Sequence, residues 1–221
     1  RDFLFLTNHS SHNADYYVKR LSRMGLDVGP EKVLTSTQAT AIKVNELYPG
    51  KRAFVLGNAY MFAELEEGGV KIDQEDPEIV VIGYDTTLDY KKMTRVCDLV
   101  RAGLPYVASH PDFNCPTETG FAPDIGAIIA FIEASAGRRP DLIVGKPYGG
   151  IVEAAVARTG LAPAEMAMVG DRLYTDVETG LKHGMLSVLV LSGETTKEMA
   201  AASPIKPHLT FGRLADMNPL L

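Results

Sequence analysis

Two apolar runs of the sequence end in polar residues that could bind an anion. Thr7 and Asn8 directly follow the run FLFL, and Lys146 directly follows the run DLIVG. A hydroxyl and backbone amides at the end of a strand can hold anionic oxygens, and a lysine supplies a compact positive charge. Simpler explanations are open at this point. Thr7, Asn8 or Ser10 could cap a following helix, and Lys146 could be a solvated surface lysine.

The block GDRLYTDV (170–177) adds two carboxylates. Asp171 stands at the end of the apolar run AMVG, and Asp176 comes five residues later, near the start of a predicted helix. Two carboxylates that converge there could bind a hard cation such as Mg2+, although Asp171 could also form a turn and Asp176 could cap the helix. A hydroxyl, a fixed cation and metal-binding carboxylates are what a phosphoryl group needs, because its transfer depends mainly on positioning and charge neutralisation.

The composition is that of an ordinary globular protein. Of the 221 residues, 46% are hydrophobic and 23% are charged. The net charge of -6 and the absence of basic runs argue against a nucleic-acid partner. No stretch approaches the roughly 20 apolar residues of a membrane helix, so we expect no membrane partner. The two cysteines, Cys97 and Cys115, are isolated, which favours free thiols and a cytoplasmic location.

Short apolar runs alternate with amphipathic helical patterns along the chain. The predicted strands are FLFL (3–6), VLTS (33–36), AFVLG (53–57), EIVVIG (78–83), PYVAS (105–109), DLIVG (141–145), EMAMVG (165–170), LSVLVL (186–191) and HLTF (208–211). Strands that alternate with helices at this spacing predict an α/β fold with a doubly wound, mainly parallel sheet. Ligands of such sheets bind beyond the carboxyl ends of the strands.

The middle strands end in a less coherent set of polar residues than the outer ones. We therefore predict two sheets, one that carries the chemistry at the ends of FLFL, DLIVG and AMVG, and one that is inserted between them. The stretch 110–124, with its three prolines, is predicted to be a long irregular loop.

Three short motifs resemble a known family. FLTN (5–8), GKP (145–147) and GDRLYTD (170–176), in this order and spacing, resemble motifs two, three and four of the haloacid dehalogenase superfamily of phosphatases. The stretch 111–147 resembles the NagD-type, pyridoxal-phosphate and phosphoglycolate phosphatase branch, which inserts an α/β cap between motifs two and three. The resemblance implies a Rossmann-like catalytic core of residues 1–36 and 142–221 and a cap of residues 37–141.

The implied activity is Mg2+-dependent removal of phosphate from small phosphomonoesters, such as sugar phosphates or nucleotides, through an aspartyl-phosphate intermediate. Thr7 and Lys146 are the implied catalytic residues. Thr7 and the backbone amides around Asn8 would hold phosphoryl oxygens, and Lys146 would neutralise charge on the phosphoryl group. The implied partner is a small phosphorylated metabolite.

The resemblance also assigns residues of motif four. Asp171 would bind Mg2+ directly, and Asp176 would orient its water ligands or Lys146. Arg172 and Thr175 would border the pocket and contact the substrate. The cap stretch 110–124 is our candidate for selecting the leaving group.

Motif one of the family carries the nucleophilic Asp and precedes motif two. Because this chain begins at motif two, we expect it to lack the nucleophile segment and to be inactive by itself. Two other functions stay open, a non-catalytic relative that binds a phosphorylated ligand and a phosphotransferase or mutase on the same scaffold. Relatives that pair through their caps suggest a homodimer.

Overall fold

The structure, a computed structural model, describes residues 2–220. Residues 3–145 form one compact unit, and the residues from Lys146 onward form the other. The predicted core and cap divide the chain differently, since they group residues 1–36 with 142–221, and that grouping stays a prediction. None of the helices within residues 2–220 is long and apolar enough to cross a membrane.

The first unit alternates strands and helices. Its elements are β1 (Phe5–Thr7), α1 (Ala14–Arg23), β2 (Val33–Thr35), α2 (Ser36–Leu47), β3 (Arg52–Leu56), α3 (Ala59–Glu67), β4 (Lys71–Ile72), β5 (Ile79–Ile82), α4 (Tyr90–Arg101), β6 (Tyr106–Ala108), β7 (Asn114–Thr117), β8 (Gly120–Pro123), α5 (Ile125–Ala136) and β9 (Leu142–Ile143). A 3-10 turn, Pro30–Lys32, precedes β2.

A five-stranded parallel sheet in the order β4-β3-β5-β6-β9 forms the centre of this unit. Its central strand β5 is a continuous apolar run that is buried throughout, as expected for a parallel strand with both faces covered. Helices α4 and α5 pack on the sheet, and α5 turns a face of isoleucines inward. The buried residues of that face are Ile125, Ile128, Ile129 and Ile132.

The strand β9 corrects one part of the sheet prediction. It pairs with β6, with Leu142 opposite Val107 and Ile143 opposite Ala108. The prediction that DLIVG ends in one sheet with FLFL is therefore wrong, because β9 lies in the five-stranded sheet and β1 does not. The connection from β6 to β9 contains the β7–β8 hairpin and α5, and parallel strands that follow each other through such a crossover usually lie side by side.

The predicted buried strand FLFL is also corrected. The strand β1 begins at Phe5, and the rings of Phe3 and Phe5 are 49% and 36% exposed. The strand β1 pairs in parallel with β2, with Leu6 opposite Leu34.

The stretch 110–124 is not irregular, because β7 and β8 form an antiparallel hairpin within it. Asp124 donates its backbone N–H to the carbonyl of Phe113, which marks that pair as hydrogen-bonded. Since hydrogen-bonded and non-hydrogen-bonded pairs alternate, Pro116 (opposite Phe121) and Pro123 both fall at non-hydrogen-bonded positions. Neither of these two prolines therefore removes a hydrogen bond between β7 and β8. This explains why a stretch that contains three prolines still forms strands.

The second unit contains α6 (Gly149–Thr159), β10 (Ala167–Gly170), α7 (Glu178–Lys182), β11 (Leu186–Val190), α8 (Lys197–Ala202) and β12 (Leu209–Phe211). A π-helical segment, Leu173–Val177, leads into α7, and 3-10 turns span Pro163–Glu165 and Leu214–Leu220. The strands form a parallel sheet in the order β10-β11-β12. Both units thus confirm the predicted α/β class with mainly parallel strands.

Candidate active site

A buried ion pair joins motif three to motif four in the second unit. The ammonium Nζ of Lys146 lies 2.5 Å from Oδ1 of Asp176, and the two side chains are only 11% and 9% exposed. The solvated-surface interpretation of Lys146 is therefore wrong. The pair fixes the position of a cation that has three hydrogen-bond donors, so its orientation is set before any ligand arrives.

The second oxygen of Asp176 is bonded as well. Oδ2 accepts a hydrogen bond from the backbone N–H of Arg172 at 3.2 Å. A Cβ atom at Gly170 would lie 2.2 Å from Cγ of Asp176, so glycine is required for this carboxylate to fold back against the end of β10. The helix α7 begins after Val177 without a side-chain cap, so the interpretation of Asp176 as its cap is wrong.

Asp171 is half-buried at the end of β10. Its Oδ2 accepts a hydrogen bond from the backbone N–H of Glu194 at 2.7 Å, and its carbonyl accepts one from Thr195 at 3.2 Å. A Cβ at Gly193 would lie 2.1 Å from Oδ2, so a glycine there lets the loop 193–195 approach the carboxylate. The side chain of Asp171 thus bonds to a distant loop and not to its own turn.

The residues of motif four fit a magnesium ion with one direct protein carboxylate. Both oxygens of Asp176 accept from protein donors, whereas within residues 2–220 the hydrogen bonds to the Asp171 carboxylate reach Oδ2 and not Oδ1. The described residues contain no group of three or more His, Cys, Asp or Glu side chains that could hold a metal. Mg2+ does not need such a cage, because it commonly binds one or two carboxylates and keeps several waters.

Glu194 is a residue of this site that the sequence reasoning missed. Its Oε2 lies 2.6 Å from Nε of Arg172, and its Oε1 accepts a hydrogen bond from the hydroxyl of Tyr174 at 2.7 Å. The partners are separated by about 20 positions, so neither spacing nor periodicity could signal the contact. Thr175 is only 3% exposed, which gives its predicted substrate contact no support.

Thr7 and Asn8 lie in the first unit. Thr7 Oγ1 accepts from the backbone N–H of His9 at 3.2 Å. The Asn8 side chain is buried, and its Nδ2 donates to the two carboxylate oxygens of Asp112 at 3.3 and 3.2 Å. The helix α1 is capped by Asn13, whose Oδ1 accepts from Tyr16, so the alternative that residues 7–10 cap this helix is wrong.

The start of the 110–124 stretch is anchored beside Asn8. His110 is fully buried, with Nδ1 lying 3.7 Å from Asp112 and Nε2 lying 3.7 Å from Asp124. Ser10 Oγ lies 3.3 Å from His110 Nε2 and accepts from the backbone N–H of Tyr84 at 2.8 Å. These contacts tie the loop after β1 to the loop that precedes the β7–β8 hairpin.

An aromatic group surrounds the loop after β1. The ring of His9 lies 5.1 Å from that of His12 and 5.4 Å from that of Tyr84. Burial lowers the pKa of His9 to about 4, and the charges of His12 and Arg20 act in the same direction. His9 is therefore neutral at pH 7.

The chain matches two family models, one described as HAD-hydrolase-like over residues 143–217 and one described as haloacid dehalogenase-like hydrolase over residues 1–71. The acid sugar phosphatase of Staphylococcus aureus (strain MRSA252) is 35% identical over 209 residues, which cover 94% of this chain and 80% of that protein. This chain belongs to the haloacid dehalogenase-like hydrolases.

Solved structures agree with this membership. The 4-nitrophenylphosphatase from Thermotoga maritima matches this hydrolase with a TM-score of 0.95 and 44% identity, over 98% of this chain and 83% of that one. NagD from E. coli K-12 matches with a TM-score of 0.89 and 31% identity, over 97% and 84% of the two chains. The p-nitrophenyl phosphatase from Archaeoglobus fulgidus matches with a TM-score of 0.93 and 33% identity, over 99% and 86%. The predicted resemblance to the NagD branch is confirmed.

Proposed function

We propose that this haloacid dehalogenase-like hydrolase is a phosphatase that hydrolyses small phosphoric monoesters with the help of Mg2+. Its similar proteins include an acid sugar phosphatase and a 4-nitrophenylphosphatase. The observation that carries the proposal is the buried Lys146–Asp176 pair, in which Asp176 also accepts the backbone N–H of Arg172, the residue next to Asp171.

Lys146 neutralises negative charge on the transferring phosphoryl group. Asp176 holds the ammonium in a site with little solvent, where a fixed charge acts more strongly than it would in water. Because the ion pair exists before the substrate binds, the enzyme does not have to order a flexible lysine during the reaction. Asp176 is thus a positioning residue for Lys146.

Asp171 would hold Mg2+ through the carboxylate oxygen that faces no donor within residues 2–220. The ion would polarise phosphoryl oxygens and neutralise their charge. Direct binding of Mg2+ by Asp176 stays a prediction. Both oxygens of its carboxylate already accept hydrogen bonds from the protein, which favours the predicted role of orienting Lys146. The roles of Thr7 and Asn8 rest on the resemblance of motif two. For Asn8 only the backbone is proposed to contact phosphate, because its side-chain amide donates to Asp112.

Several finer expectations belong to the same proposal and rest on the resemblance alone. They are the aspartyl-phosphate intermediate, the roles of Arg172 and Thr175 and a homodimer through the cap, whereas the cytoplasmic location is expected from the two isolated cysteines. No comparison supports the expectation that the chain lacks its nucleophile segment and is inactive by itself.

The test is hydrolysis of 4-nitrophenyl phosphate and of a sugar phosphate, with Mg2+ and with a chelator. We expect Asp171→Asn to remove the Mg2+ dependence and to lower turnover by about 10² to 10³. The control Asp216→Asn, at an exposed ion pair with Arg213, should leave both unchanged. Full activity of Asp171→Asn at saturating Mg2+ would exclude the metal assignment.

The same assay separates hydrolysis from its alternatives. A hydrolase releases inorganic phosphate whether or not a sugar acceptor is present, whereas a phosphotransferase moves the group to the acceptor. A protein that binds the ester without turnover would be a non-catalytic relative.

A further inference from the structure

We infer that Glu194 determines which leaving groups the enzyme accepts, by masking the charge of Arg172 and so favouring uncharged, hydroxyl-bearing leaving groups over anionic ones. This inference rests on the proposed phosphatase function. It concerns a residue to which neither the motifs nor the resemblance gives a role.

The position of Glu194 follows from its backbone. Its N–H donates to Oδ2 of Asp171 at 2.7 Å, which places the residue directly beside the proposed metal-binding carboxylate. Arg172 is the next residue after Asp171, and its own N–H donates to Asp176. The side chains of Arg172 and Glu194 therefore start from backbone that is hydrogen-bonded to the carboxylates of the site.

The carboxylate of Glu194 engages two side chains at once. Oε2 lies 2.6 Å from Nε of Arg172, and Oε1 accepts the Tyr174 hydroxyl at 2.7 Å. Arg172 is 19% exposed and Glu194 is 30% exposed, whereas Tyr174 is 49% exposed. The three side chains thus form a hydrogen-bonded rim that is partly open to solvent.

The charge of this rim decides what it can recognise. A guanidinium is always charged and its planar donors match carboxylates and phosphates. Here Glu194 already occupies the Nε side of that group, so an anionic leaving group would have to displace a carboxylate or lie next to one. A leaving group with hydroxyls meets no such repulsion and can donate to the Glu194 carboxylate. The expected substrates are therefore phosphoric esters of polyols and sugars, and esters that carry a second anion are disfavoured.

The test compares two esters that differ in one group. Glycerol 3-phosphate carries a hydroxymethyl group where 3-phosphoglycerate carries a carboxylate. We expect the wild type to prefer the first by about tenfold or more in kcat/KM, and Glu194→Gln to shift that ratio by about tenfold toward the carboxylate ester. The glutamine is isosteric, and its oxygen still accepts a hydrogen bond from Tyr174.

A double variant tests whether the charge of Arg172 is the one that Glu194→Gln exposes to the leaving group. If the gain toward 3-phosphoglycerate comes from Arg172, then Glu194→Gln with Arg172→Met should lose it. Tyr174→Phe removes one hydrogen bond from the same carboxylate and should shift the ratio in the same direction by less than about threefold. This variant decides the question if Glu194→Gln does not fold.

Binding measurements keep this inference separate from the proposed function. The dissociation constants of the two esters are measured by titration calorimetry in the presence of a chelator, for wild type and variants. If neither ester is hydrolysed with Mg2+, the phosphatase proposal fails, and the ratio of the dissociation constants still tests the role of Glu194. A ratio that does not change in folded Glu194→Gln, in binding and in turnover, overturns the inference.

Discussion

Two buried polar clusters of the molecule are built from similar groups and differ in what they leave accessible. In the first unit, Asp112 receives the amide of Asn8 on both of its oxygens, and the ring of His110 lies beside it. In the second unit, Asp176 receives Lys146 on one oxygen and a backbone amide on the other. The adjacent Asp171 keeps one oxygen that accepts nothing from residues 2–220.

The difference teaches that burial alone does not identify a functional carboxylate. Asn8, Asp112 and Asp176 are exposed by 6%, 8% and 6%, and these numbers do not separate them. What separates Asp171 from Asp112 and Asp176 is that one of its oxygens accepts no hydrogen bond from residues 2–220. Some carboxylate oxygens at the end of a strand, beside a fixed cation, accept no hydrogen bond from the protein. A ligand can bind to such an oxygen instead.

The largest effect on turnover is expected from a substitution of Lys146, in the cluster of the second unit. Lys146→Met should lower kcat by about 10² to 10³ and change KM much less, because a fixed cation acts most where charge moves during the reaction. The control Lys182→Met, at a helix-surface pair with Glu178 where Lys182 is 53% exposed, should leave both constants unchanged. A rise in KM alone would make Lys146 a binding residue only.

The cluster of Asn8, His110 and Asp112 is expected to stabilise the fold, so a substitution there should lower the free energy of unfolding. Asp112→Ala leaves the buried amide of Asn8 without this acceptor and His110 without one carboxylate neighbour, so we expect a loss of about 2 to 4 kcal/mol in the free energy of unfolding. Urea denaturation measures it. Asp98→Ala is the control, since Asp98 is 58% exposed in its pair with Arg101 and should cost less than about 0.5 kcal/mol. Equal losses in the two variants would show that the cluster is not a stabilising unit.

The smallest expected effect is a pH dependence of the free energy of unfolding. It comes from His9, which is next to Asn8 in the sequence. Because burial lowers the pKa of His9 to about 4, the unfolded chain binds a proton below its ordinary pKa of 6.5 while the folded chain does not. The stability that neutral His9 contributes is thus complete above pH 6.5 and is lost as the pH falls toward 4. Between pH 7 and pH 5 we expect a loss of about 2 kcal/mol.

The variant His9→Gln isolates this contribution. Its free energy of unfolding, measured by urea denaturation at several pH values between 7 and 5, should fall less steeply than that of the wild type. Identical slopes would mean that the imidazole is protonated in the folded state as readily as in the unfolded one.

The pattern of apolar residues along the sequence predicted those strands and helices in which buried residues follow a regular spacing. The predicted strand EIVVIG is confirmed as β5 because its apolar run is buried throughout. The hairpin β7–β8 could not be predicted in this way, since its prolines signal a loop unless the hydrogen-bonding register is known. The position of β9 beside β6 is a matter of pairing, which local sequence does not contain.

The candidate site shows the same limit. Motif spacing led to Lys146 and Asp176, and the structure brings them into contact. Glu194 was missed because its contacts with Arg172 and Tyr174 join segments that are distant in sequence. Motif two predicted a phosphate contact for the backbone amides around Asn8, and only the fold reveals that the side-chain amide of Asn8 donates to Asp112.

The prolines of the hairpin have a consequence for association between chains. At non-hydrogen-bonded positions of an antiparallel pair, backbone N–H groups point away from the partner strand, toward the outer edge. Pro116 removes one such donor from the outer edge of β7, and Pro123 removes one from the outer edge of β8. Neither edge can therefore extend a regular ladder to a strand from another molecule. The exposed Phe121, at 72% exposure, thus lies on a hairpin in which each outer edge lacks one donor, and this disfavours sheet extension beside an apolar ring.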